Sequence, residues 1–468
     1  MKAIFIRQVA ILASLAIGTV SVAQVEIKGS GSTAATTTLV TKNGSNDTSM
    51  LIRDDGRIGM GVTNPMTKLD ISGVVNARNG VRYPDGLTQT IAYTGVPIPV
   101  ANTFTVAAFG GNFTTISAAI TACVAPGPAN RYLIEVMPGT YAENVVCVNY
   151  VNLRGAGKYA ATIQGFVLAA DNMVIEGFNI TGGIQCVAVS PTILHNIITN
   201  TTTIALGDGI NIIPPMSNPW IMENEITGCL GFGIRIVNSQ AWIIANKLNM
   251  NAMGGILVDQ SSPTISNNII DNNIMYGISI LGPIGMPTMA TISDNVISNT
   301  GYMAGGIGIN MAGTVEPMII SNDIRTNETG IFISLNAQPS IIGNNINNNY
   351  AAGIRCLSAG TTKRVVITGN HIHSNIHFPL LPAAGPPAGI WLAGPCNPII
   401  TLNNISQNNV PPAIGFPDIN YSGIAGAGPF PTISSNIYDM ILRFGFGPGP
   451  GPAGGMYNST TLGVAIFP

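Results

Sequence analysis

Apolar and polar positions fall into one phrase that returns from about residue 190 to 440. Ile265, Asn268 and Ile270 lead to Gly277-Ile278-Ser279-Ile280. Ile292, Asn295 and Ile297 lead to Gly306-Ile307-Gly308-Ile309, and Ile319, Asn322 and Ile324 lead to Gly330-Ile331-Phe332-Ile333. In Gly-Ile-x-Ile the two isoleucines are two residues apart, so they share one face of a strand while x faces the other way. A single strand of this kind cannot bury its apolar face. Stacked copies can, as a parallel sheet with an internal isoleucine ladder, each fully buried isoleucine contributing roughly 1.5–3 kcal/mol before entropy. The tightest copies lie 22 residues apart, which predicts a solenoid coil of that length.

The asparagines of the phrase are Asn196, Asn224, Asn246, Asn268, Asn295, Asn322, Asn344, Asn370 and Asn403, with Asn436 as a looser tenth. Asparagine tolerates a left-handed backbone, so each is expected to sit in a bend and to stack its amide on the next coil. The glycines that follow are Gly209, Gly233, Gly255, Gly277, Gly306, Gly330, Gly353, Gly389 and Gly423. Spacing between bends varies from 22 to 33 residues. The extra residues must leave the stack as loops, the largest near the C-terminal end.

Before the repeats, Gly110-Gly111-Asn112-Phe113-Thr114-Thr115-Ile116 reads as a turn opening a short helix capped by Thr114 or Thr115, with Ile116, Ala119 and Ile120 on one face. Such a helix would cover the open end of the first coil. Residues 1–23 read as a secretory signal peptide: Lys2 and Arg7, the apolar run Val9 to Val20, then Ser21 and Ala23 before Gln24. No later stretch is long and apolar enough to span a membrane, so the mature chain is expected to be secreted or at the cell surface.

Two resemblances enter here. Arg57-Ile58-Gly59-Met60-Gly61-Val62-Thr63-Asn64-Pro65 with Lys68-Leu69-Asp70-Ile71-Ser72-Gly73, followed by Tyr83-Pro84-Asp85-Gly86-Leu87-Thr88-Gln89-Thr90, resembles the tail-fibre-like modules of bacterial exoproteins. It implies an extended β stalk over 24–95 that forms a homotrimer. Tyr132-Leu133-Ile134-Glu135-Val136-Met137-Pro138-Gly139-Thr140-Tyr141-Ala142-Glu143 and Val151-Asn152-Leu153-Arg154-Gly155 resemble the opening coils of right-handed parallel β-helix proteins of the pectin lyase-like class. The fold expected is therefore all-β: a right-handed parallel β-helix solenoid over 113–440 with an N-terminal capping helix. A linker and entry to the solenoid at 96–112 leads into it, and a Gly/Pro-rich tail or cap at 441–468 ends the chain.

Composition narrows the function. Charged residues make up 9%, aromatics 6% and the net charge is −2, so no basic surface suits nucleic acid. No cofactor is implied. Of the six cysteines, Cys186 and Cys356 occupy the inward apolar register as small hydrophobes, and Cys123 with Cys147 is the best disulfide candidate.

The catalytic motifs of the pectin lyase-like class, those of its methylesterases and polygalacturonases, are absent. Gly139-Thr140-Tyr141-Ala142-Glu143 matches an element shared with non-enzymatic members, which is expected to shape a turn. Between Ile193 and Asn436 ten acidic and six basic residues are scattered, whereas calcium-assisted elimination needs clustered carboxylates. Glu223 and Glu225 flank a bend, but Glu225 shares its register with Lys247, which reads as an ion pair. Asp208, between two glycines, reads as a turn residue. His371, His373 and His377 either hold Zn²⁺ or Cu²⁺ or are solvated.

The outward x positions of three successive coils, Phe332, Arg355 and Trp391, line up as aromatic, cation, aromatic. They are a candidate face for polysaccharide or a neighbouring subunit, or else local packing. The reading is a surface or fibre protein with no catalytic residues, and the alternative is a polysaccharide-modifying enzyme with diverged ones.

Overall fold

The computed structural model describes residues 37–71 without 46, 66 and 67, then 81–82, 88–89, and 102–444 without 203, 215, 284–286, 302–304, 358–364, 376–387, 394–397, 409–418, 423–431, 435 and 439–441. The segment expected to be a signal peptide, Gly423 and the tail from 445 lie outside the described residues. The chain divides into two compact units, 1–81 and 82–468.

In the first unit Thr37–Lys42 pairs antiparallel with Thr48–Arg53, which pairs antiparallel with Ile58–Met60, and that strand pairs parallel with Leu69–Ile71. Its sequence motif is specific because its members hold one another. Arg57 bonds Asp55 (Nε to Oδ2, 2.8 Å) and the Pro65 carbonyl (2.7 Å), while Lys68 Nζ reaches the Asp55 carbonyl at 3.0 Å. The bonds from Arg57 hold the Asp55 carboxyl below its ordinary range.

The second unit is a right-handed solenoid of three parallel sheets. Sheet A runs from Asn102–Val106 to Thr432–Ser434, sheet B from Gly139–Tyr141 to Ile437–Tyr438, and sheet C from Val145–Val146 to Leu442–Phe444. One coil visits each sheet once, as in Trp242–Ile244, Lys247–Asn249 and Gly254–Asp259. The middle residue of each short strand points inward, so Ile243, Leu248, Ile256 and Val258 are fully buried and meet their counterparts one coil on. The stack begins within the segment expected as the entry to the solenoid. Asn102–Val106 pairs parallel with Tyr132–Val136, and Phe104 and Val106 supply its apolar alternation.

The helix spans Ile116–Thr121 and buries Ile116, Ala119 and Ile120, and Thr115 caps it by accepting from the Ala118 amide. The Glu143 carboxylate adds a second cap from 26–27 residues away, accepting from the amides of Ile116 (2.8 Å) and Ser117 (2.9 Å). That is the role of the glutamate in Gly139-Thr140-Tyr141-Ala142-Glu143: it joins the cap of the solenoid to its first coil.

At the A–B corner the asparagine ladder is continuous from Asn196 to Asn436. Each Nδ2 donates to the Oδ1 of the next coil's asparagine, at 2.9–3.1 Å. The same oxygen also accepts the preceding asparagine's backbone amide, as Asn295 Oδ1 does from Asn268. The left-handed backbone expected at these asparagines belongs instead to the residue before each: Glu223, Ala245, Asn267, Asp294, Ser321 and Leu402, with φ of 55–58°. The asparagine is buried because its amide closes the corner, and its backbone stays in the ordinary region.

A second ladder runs at the B–C corner, five residues further on in the phrase. Asn251 bonds Asn273, and Asn327, Asn349, Asn375 and Asn408 bond in succession, with Cys229 and Thr300 at the interrupted steps. The glycine column is Gly233, Gly255, Gly277, Gly308, Gly330, Gly353 and Gly389. A Cβ on Gly277 would lie 2.5 Å from the Gly308 carbonyl. Gly308 replaces the expected Gly306, because Ile309 and not Ile307 registers with Ile278 and Ile331.

Candidate functional site

The outer face of sheet C departs from repetition. Its middle outward row reads Gln185, Asn211, Arg235, Leu257, Ser279, Asn310, Phe332, Arg355 and Trp391, each paired with the next. The structure brings Phe332, Arg355 and Trp391 together. The Arg355 guanidinium lies 5.3 Å from the Phe332 ring centroid and 4.2 Å from that of Trp391.

Trp391 is only 8% exposed, packed against Ala352 and Ala388 of the neighbouring outward column, where small side chains leave room for an indole. It therefore offers no open ring face. The rest of the 378–388 insertion lies outside the described residues. Arg355 is half-buried, and its Nε has no hydrogen-bond partner among the described residues. Burial pushes its guanidinium below its ordinary pKa, and Glu328 pulls the other way. What this stack presents is the rim of a cation held flat between two rings.

At the other end of the row lies an arrangement that local sequence reading did not assemble. Asp208 is fully buried, its Oδ2 accepting from Arg235 Nε and its Oδ1 from the Phe232 amide at 2.7 Å. Arg235 lies over the Phe232 ring at 5.4 Å. Desolvation raises the Asp208 pKa, and its hydrogen bond and charge contact with Arg235 act against that. The two members of the pair are 27 residues apart, about one coil, which is the signal that could have found them.

Sheet B carries the other candidates. Glu225 Oε1 is 3.6 Å from Lys247 Nζ, and Lys158 adds a second cation to the same carboxylate at 3.8 Å. Glu223 bonds His195 while Glu225 pairs with the two lysines, so the two carboxylates have different partners. His371 and His373 stack at 4.1 Å between ring centroids, closer than outward strand neighbours normally sit. His373 Nε2 lies 3.2 Å from Asn345 Oδ1, and burial followed by His371 lowers its pKa while Asp323 raises it. His377 lies outside the described residues, and no group of three metal-ligating side chains occurs among those described.

Cys123 and Cys147 are free thiols rather than a disulfide. Cys147 points into the core of sheet C, while Cys123 donates to the Ala119 carbonyl. Burial pushes Cys123 up to about 11 and Cys186 up to about 12. On sheet A, Trp220 and Trp242 stack face to face. Their 22-residue separation is one coil, a signal present in the sequence.

The family model described as right handed beta helix region matches residues 140–285 and again 241–410, together more than half of the chain. No curated protein matches the sequence. Among solved structures, the Dettilon tailspike protein is similar at 13% identity, over 72% of this chain and 70% of that one, with a TM-score of 0.44. The A-module of the mannuronan C-5 epimerase AlgE4 of Azotobacter vinelandii is similar at 17% identity, over 68% and 94%, with a TM-score of 0.40. The catalytic unit of an α-1,3-glucanase from Streptomyces thermodiastaticus gives 14%, 69% and 65%, and 0.42. At these identities the likeness is one of fold.

Proposed function

This chain belongs to the right-handed β-helix family, and from that premise we propose that it is an exported protein that engages an acidic polysaccharide on the outer face of sheet C. The observation that carries the reading is the Arg355 guanidinium, held between Phe332 and Trp391 with Nε unpartnered among the described residues. A partly desolvated cation fixed between two rings is pre-organised for a carboxylate or sulfate, because its orientation is set before binding. The charged n-region and apolar run at Val9 to Val20 support export. Retention by polygalacturonate and alginate in affinity electrophoresis tests the reading, with Arg355→Ala as the comparison. Retention equal in both proteins removes Arg355 from the site.

A second reading has a specific observation behind it. Asp208 and Arg235 form a buried ionisable pair beneath the same face, and the alternative is that this face modifies polysaccharide rather than holds it. Reducing-sugar and unsaturated-uronate assays on the wild type and Asp208→Asn separate the two readings. Turnover lost in Asp208→Asn supports catalysis, and no turnover in the wild type removes it. The tail-fibre-like motif further supports a trimer. Sedimentation of the mature chain against one starting at Ala101 should give three copies and one; two monomers would refute it.

A further inference from the structure

Trp220 and Trp242 stand in register in the first outward column of sheet A, their ring centroids 5.0 Å apart and their planes within 10°. Two indoles that close cannot lie side by side on the sheet, because their edges would overlap. Each ring therefore stands on the sheet with one face to its partner and the other toward the next coil. The residue paired with Trp242 on its far side is Thr264, too small to cover an indole.

Beyond that wall, two coils present only hydroxyls. Thr264 pairs with Thr291, and Ser266 pairs with Ser293 in the second outward column. All four are half-buried, and no described protein group bonds to their hydroxyls. Larger apolar side chains bound this block on both sides: Trp242 and Ile244 on one, Met318, 46% exposed, and Ile320 on the other. Three coil steps separate the walls, roughly 14 Å. Asp294, in the left-handed bend after Ser293, stands at the rim.

We propose that this notch binds a neutral hexopyranose unit of a polysaccharide, one C–H face of the ring against Trp242 and its hydroxyls on Thr264, Ser266, Thr291 and Ser293. An aromatic wall and a hydroxyl floor match the two kinds of surface on a sugar ring. The floor carries no charge, and the Asp294 carboxylate disfavours a uronate. The inference rests on the reading of this chain as a polysaccharide-engaging protein, but not on the Arg355 stack.

The test uses hexasaccharides of β-1,4-linked glucose, β-1,4-linked mannose and α-1,4-linked glucose, with hexagalacturonate as the acidic probe, read by tryptophan fluorescence and calorimetry. At least one neutral hexasaccharide should bind saturably and perturb the indole emission. Its affinity should fall tenfold or more in Trp242→Ala, and equally in Thr264→Trp, which keeps both native indoles and fills the notch. Binding of hexagalacturonate alone, or neutral binding indifferent to Thr264→Trp, overturns the notch and leaves the proposed function standing. Failure of every saccharide overturns both.

Discussion

The A–B corner and the outer face of sheet C are built on the same coils and obey opposite rules. At the corner the same residue recurs in every coil from Asn196 to Asn436. On the outer face the row changes from Arg235 to Leu257, Ser279, Asn310 and Phe332. A buried corner has few solutions, because two amide hydrogens and two carbonyl lone pairs must all find partners away from water. An outward position has many. Repetition in this chain therefore marks what the fold requires, and departure from it marks where a site can be built.

The comparison breaks most visibly if the corner tolerates change. Asn295→Val should destabilise the protein by about 3 kcal/mol, since it takes the Oδ1 acceptor from the buried Asn268 backbone amide and removes the side-chain bonds to Asn268, Asn322 and the carbonyls of Ile265 and Ser293. The left-handed strain sits on Asp294, so none of this cost comes from the Asn295 backbone. A urea midpoint unchanged by the substitution would remove the ladder from the account.

Asp208→Ala comes next, at about 2–3 kcal/mol, because Arg235 and the Phe232 amide lose their shared partner. The wild type carries a pH signature at this group. Burial raises the Asp208 pKa, so the native state keeps its proton to a higher pH than the unfolded chain. The resulting stability is fully present below about pH 4 and is lost as pH rises through the native value. Urea titrations from pH 3.5 to 7 should show that decline in the wild type and not in Asp208→Ala; parallel profiles would contradict it. Smaller still, Thr300→Asn should mend the broken second ladder and add about 1 kcal/mol. Destabilisation there would show that the gap is packed for threonine.

Much of the fold was legible because the solenoid repeats. The inward isoleucines, the Asn196 to Asn403 ladder and the Glu225 register with Lys247 follow from spacing alone, and the helix cap was narrowed to Thr114 or Thr115. The bend residues were not, because Glu223, Ala245, Asp294 and Leu402 share a backbone shape and no side-chain chemistry. The Gly306 assignment failed where a longer loop precedes the strand and shifts the register by two. At the candidate site, the alignment of Phe332, Arg355 and Trp391 was readable from the register. The burial of Trp391 was not, since it depends on Ala352 and Ala388 in another column. The Asp208 pair and the Trp220 stack each needed the coil length applied to residues outside the repeated phrase.

The affinity of Arg355→Ala for polygalacturonate, measured beside its urea midpoint, tests the proposed engagement most directly. The reading predicts at least a tenfold loss of affinity, about 1.4 kcal/mol, with the midpoint held close to wild type because the isoleucine core is untouched. Full affinity with an unchanged midpoint would contradict it and leave the Phe332–Arg355–Trp391 stack as packing alone.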